Sequence, residues 1–136
     1  MEARDIADLF VTAIDKIEFY WNFYTVTLLA LIGWLVTTKQ ALDRGLKLLL
    51  SVGYLIFVAM NLTGLWGSYT LAEALRLDLL AATADHAQRI GHARNVLAGR
   101  SMEAQRTFAL VIHGVLAVLV LGVIWLRRSS PAKDLG

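Results

Sequence analysis

Long uncharged apolar runs alternate with short charged breaks along this chain, and three of the runs dominate: residues 19–38, 48–72 and 107–126. Each matches the ~20 apolar residues that a helix needs to cross a hydrocarbon core. The pattern predicts an all-α integral membrane protein with three transmembrane helices. Their expected bounds are 20–38, 46–66 and 107–126.

The remaining segments carry a different periodicity. In residues 3–20, Ile6, Leu9, Phe10, Ala13, Ile14, Ile17 and Trp21 recur at steps of three and four, with Asp5, Asp8, Asp15 and Glu18 largely opposite. Such spacing predicts an amphipathic helix. No Gly or Pro separates it from the first span, so one helix over 4–38, straight or bent near Asn22, is the expectation. The connection 39–45 is short and forces spans one and two to run antiparallel.

Gly64 and Gly67 are expected to weaken the second span near its end. Thr70 and Glu73 have the spacing of a capping box, which predicts a new amphipathic helix over 70–99 that stops at Gly99. Its apolar stripe is Leu75, Leu79, Ala82, His86, Ile90, Ala93 and Leu97. A straight helix there would extend about 45 Å. Only residues 100–106 remain for the return. The segment therefore lies along the membrane or breaks near Gly91 into a hairpin. The N-terminal amphipathic helix is its expected partner. Ser101 is the expected cap of the last helix, and Pro131 stops it beyond Arg127 or Arg128. The whole chain, 1–136, reads as a single membrane domain.

Charge orients this arrangement. Lys39, Arg44 and Lys47 crowd the first connection, and Arg127, Arg128 and Lys133 crowd the tail 127–136. The first five read as lipid-headgroup or topology residues. Positive charge favours the cytoplasmic side, which predicts a multi-pass protein of the inner (plasma) membrane with N-terminus outside and C-terminus cytoplasmic. Tyr20, Trp21, Tyr24, Trp66 and Tyr69 would mark one interface and Trp125 the other.

Composition narrows the chemistry. The chain is 57% hydrophobic and has no cysteine, which rules out disulfides, thiolate metal sites and a cysteine nucleophile. A net charge of +2 gives no nucleic-acid-binding surface. The acidic first 18 residues are unlike a secretory leader, so the first span is expected to stay in the protein.

Asn61, Thr63 and His113 are the candidate intramembrane polar or pore residues. An ionisable group in lipid faces a bundle interior and often marks function, while amides bond across helix interfaces. His86 and His92 are six residues apart, which does not bring both to one metal on a straight helix. A ligand or haem role for them requires a break near Gly91 or a partner chain. Ala30, Gly33 and Thr37 form one strip for close helix packing, and Ala109, Gly114 and Ala117 flank His113 in another.

No phosphate loop, carboxylate–base pair or nucleophile–base spacing appears, so an enzyme is not expected. No cofactor is required, with haem the one considered. The expected partners are the lipid bilayer and either copies of the chain or a membrane complex. The leading functional expectation is a self-associating channel, pore or small transport protein. The alternatives are an anchor or accessory subunit of a larger membrane complex, and a haem- or quinone-binding membrane protein.

Overall fold

A computed structural model describes residues 3–39, 41–86 and 91–127, with the side chain of His86 outside that description. It is all-helical among these residues. Helix α1 spans Ala3–Thr37, α2 Arg44–Ala82, α3 Gly91–Gly99 and α4 Met102–Leu126, with a 3₁₀ turn at Ala84–His86. Helices α1, α2 and α4 are each long and apolar enough to cross a membrane.

Helix α1 is continuous, as its unbroken pattern requires. Thr37 closes its last turn by donating from Oγ1 to the Gly33 carbonyl at 2.8 Å. The connection turns at Asp43, whose carboxylate accepts from the Leu46 amide at 2.7 Å and caps α2.

Helix α2 corrects the expected boundaries. It does not end near Trp66 but continues through Gly64 and Gly67 to Ala82. The Thr70–Glu73 capping box does not form, because inside a continuous helix the backbone donors are already bonded. Thr70 Oγ1 donates back to the Trp66 carbonyl at 2.9 Å instead. Gly64 has a packing reason. A Cβ there would lie 2.3 Å from the Tyr20 ring, so the missing side chain admits Tyr20 against α2.

The expected single helix over 70–99 is likewise broken, between Ala82 and Gly91, as the hairpin alternative required. Thr83 caps α2 with its amide and Oγ1 on the Leu79 carbonyl. Gly91 begins α3. The chain folds back, and Arg76 Nη1 donates to the Leu97 carbonyl at 2.8 Å. Ser101 occupies the N-cap of α4 without a side-chain cap bond, and Glu73 supplies that function by accepting from the Met102 amide at 3.2 Å.

Helix α2 is the central element, packed antiparallel against α1 on one side and α4 on the other. Two cores follow. One joins Ile6, Ala13 and Ile17 of α1 to Leu65, Ala72 and Leu75 of α2 and to Met102 and Ala109 of α4. The other joins Tyr24, Leu28 and Leu35 to Tyr54, Val58, Val120 and Ile124. At 1.5 Å per residue, α1 and α2 reach about 52 and 58 Å while α4 reaches about 37 Å. The last turns of α2, past Glu73, therefore extend beyond the start of α4 at Met102. Within the stripe expected on 70–99, Leu75 is buried and Leu79 packs on the core, whereas Ala82 and Ala93 are exposed.

Candidate functional site

Buried side chains of α2 recur every seven residues: Lys47, Tyr54, Asn61, Ser68 and Leu75. A second buried set, Ser51, Val58, Leu65 and Ala72, follows four residues behind each of the first four. Together they form the seam of a helical bundle. Most of the first set is polar, so the seam is a ladder of polar contacts between apolar layers.

His113 stands at its centre with 0% exposure. Its Nδ1 lies 2.8 Å from the Ala109 carbonyl, which only accepts, so Nδ1 carries the proton. In the neutral ring Nε2 is then an acceptor, and the Asn61 amide donates to it from Nδ2 at 3.1 Å. This leaves Asn61 Oδ1 buried and without a partner among the described residues. The Tyr24 and Trp21 rings cover the imidazole at centroid distances of 4.0 and 5.0 Å. One residue of α4 thus meets side chains of both other long helices.

Further contacts extend the ladder both ways. The Tyr24 and Tyr54 hydroxyls bond at 3.1 Å. Trp21 Nε1 donates to the Tyr69 hydroxyl at 3.1 Å, and Trp125 Nε1 to Ser51 Oγ at 3.2 Å.

At the end that carries Lys39 and Arg44, the basic residues close helix termini. Lys47 is 2% exposed, and its Nζ donates to the carbonyls of Arg127 at 2.6 Å and Trp125 at 3.3 Å. Arg127 donates to the carbonyls of Leu35 and Thr38. Lys47 therefore caps α4 and Arg127 caps α1, where cations oppose the negative end of each helix dipole. The other end mirrors this. Glu73 and Arg76 pair at 2.8 Å and bond the start of α4 and the end of α3. The Arg76 guanidinium holds the Glu73 carboxyl below its usual range, and Glu73 raises Arg76 in return.

The candidate residues separate accordingly. Asn61 and His113 meet. Thr63 does not join them: it is exposed, with Oγ1 donating to its own helix at the Ala59 carbonyl, 2.8 Å away. A polar strip of all three is therefore absent. His92 is exposed on α3, and the side chain of His86 lies outside the described residues. No group of three or more metal-ligating side chains occurs among the described residues. Both His113 nitrogens are engaged, so iron ligation there would break a bond of the seam.

Ala109 is buried and Ala117 half-buried, while Gly114 is exposed and open. Ala30, Gly33 and Thr37 are all exposed and make no packing strip within the chain. Lys39 and Arg44 are exposed, unlike Lys47, and Arg128 lies outside the described residues.

Sequence reasoning gave Ser51, Tyr54 and Ser68 no role, and it read Tyr24 and Trp125 only as interface markers, whereas they bond to Tyr54 and Ser51. The signal was there in α2, because Lys47, Tyr54, Asn61 and Ser68 are spaced by seven. The chain matches no protein-family model, no curated protein and no solved structure.

Proposed function

We propose that this chain is a non-enzymatic, multi-pass protein of the plasma membrane that works by assembly, as a self-associating three-span unit. Its N-terminus faces outward, and Lys39, Arg44 and Lys47 lie on the cytoplasmic side. One observation carries the reading. The buried polar side chains of the apolar segments are engaged in contacts between or within helices, whereas the outer faces present Val26, Leu29, Val36, Met60, Val118 and Leu119. Surface of that kind suits lipid and neighbouring helices, not aqueous chemistry.

The open strip of Ala30, Gly33 and Thr37 is the contact proposed between copies, since small residues let helix backbones approach closely. A solute path through one chain is not part of this proposal. Asn61 and His113 are sealed in the seam, and Thr63 faces away from them.

The absence of native cysteine makes the test clean. Gly33→Cys and Gly114→Cys are each placed in the full chain, reconstituted in liposomes and oxidised. The proposal expects disulfide-linked dimers for Gly33→Cys and few for Gly114→Cys. Monomers for both, with a single-chain mass in native mass spectrometry, overturn it. Flux of ions or small solutes from the same liposomes decides whether the assembly conducts.

A further inference from the structure

One side of the α1–α2 pair carries three hollows that share residues. The first lies among Lys16, Phe19, Tyr20, Thr63, Gly64 and Gly67. The second keeps Phe19 and Tyr20 and adds Phe23, Phe57 and Met60. The third keeps Phe57 and continues to Leu31, Gly53 and Leu49. Linked in this order they make one groove. From Leu71 to Leu49 it follows 22 residues of α2, or about 33 Å at 1.5 Å per residue. The first two hollows, from Leu71 to Phe57, follow 14 of those residues, or about 21 Å, a length that suits the acyl chain of one lipid within one leaflet of a ~30 Å core.

The two ends differ chemically. Lys16 stands at one end, exposed, and makes no ion pair among the described residues. It lies one helical turn from Tyr20 and Trp21, at the level of Tyr69, to which Trp21 is bonded. Aromatic rings with a polar edge mark the headgroup level. Below Lys16 the lining turns aromatic and aliphatic. Gly67 leaves the floor open, with nothing within 4 Å of where a Cβ would stand. Thr63 and Ser68 spend their hydroxyl protons on their own helix at 2.8 and 2.9 Å, so their oxygens are left as acceptors.

We propose that this groove is a binding site for one anionic phospholipid of the phosphatidylglycerol type. The Lys16 ammonium holds the phosphate. A hydroxyl of the headgroup donates to Ser68. An acyl chain runs over Gly67 and between Phe19, Phe23 and Phe57. A zwitterionic lipid fits the apolar part equally well, but its own cation opposes Lys16 and it lacks the donating hydroxyls. The inference rests on the chain being membrane-embedded and is independent of whether it self-associates.

The test is native mass spectrometry of the full chain, released from mild detergent after incubation with phosphatidylglycerol or phosphatidylcholine. The wild type is expected to retain one phosphatidylglycerol and little phosphatidylcholine. Lys16→Gln should lower retention about fivefold, as loss of ~1 kcal/mol per basic residue near a headgroup implies. Gly67→Leu should lower it further by filling the floor, with the melting temperature unchanged. Lys39→Gln, at the far end of the chain's apolar segment, should retain lipid as wild type does. Equal retention of both lipids, or undiminished retention by Lys16→Gln and Gly67→Leu, overturns the site. A protein that stays monodisperse in buffer without detergent overturns the membrane reading instead.

Discussion

The Asn61 amide donates across 3.1 Å to Nε2 of His113, and this bond joins the central helix to α4 where the Tyr24 ring of α1 lies against the imidazole. Each partner leaves the other buried and unsatisfied when it is removed. Interhelical hydrogen bonds in membranes are worth about 0.6 kcal/mol on average and up to about 1.7. Asn61→Leu and His113→Leu should each destabilise the bundle. The double variant should cost less than the two singles added, with a coupling of about 1 kcal/mol. Reversible unfolding in mixed micelles measures it, and strict additivity would show that the bond carries no net energy.

Tyr20 lies where a Gly64 side chain would be, 2.3 Å from the ideal Cβ position. Gly64→Val must therefore displace the ring, and overpacking of that kind costs about 1–3 kcal/mol. Combining it with Tyr20→Ala should recover part of the loss, because the ring is the obstacle. Thermal melting of the four proteins in detergent tests this. Equal melting of Gly64→Val and wild type would contradict the packing.

Lys47 is buried and donates to two carbonyls at the end of α4. Lys47→Met keeps the apolar stem and removes the donors. The acceptor carbonyls are only partly buried and water can reach them, so the loss should be about 1 kcal/mol. Lys39→Met, at an exposed position, should change stability by less than about 0.5 kcal/mol. Unfolding midpoints of the two variants separate a helix cap from an exposed charge.

Glu73 is held low by Arg76, so it stays ionised in the folded protein at pH values where the unfolded carboxyl takes up a proton. A depressed carboxylate contributes stability that is fully present above its unfolded pKa of about 4.3 and is lost as pH falls through the lower folded value. Hydrogen exchange of α3 and the first turn of α4 should rise, after correction for intrinsic rates, as pH drops below that range. Glu73→Gln should expose the same amides at all pH values and flatten the dependence. An unchanged wild-type profile would separate the ion pair from the docking of α3.

Gly33→Cys and Lys16→Gln address the outer surface rather than the fold. Both positions are exposed, so neither substitution should change stability by more than the roughly 0.5 kcal/mol typical of surface changes. Thermal melts run beside the cross-linking and lipid-retention experiments check this. A large loss of stability would mean that these residues serve the bundle itself.

The elements were legible in the sequence to the extent that they depend on local pattern. Three apolar runs, an unbroken α1, a short antiparallel connection and a helix end at Gly99 all follow from hydropathy, spacing and end signals read within one segment. The same local reading failed at Thr70 and Glu73. Their spacing fits a cap, but the turn before them was already helical and left no backbone donor to cap. It also grouped Thr63 with Asn61 because both are polar and close in sequence, although residues two apart on a helix lie on different faces.

What the sequence by itself determined is which stretches are helical and apolar, because those properties are summed residue by residue along one chain. What only the tertiary structure decided is which polar groups meet. Asn61 finds His113 52 residues away, Lys47 finds the Arg127 carbonyl 80 away, and Arg76 finds the Leu97 carbonyl 21 away. Such bonds depend on the rotation and offset of helices about one another, and those are set by packing across the seam rather than by any one segment's pattern.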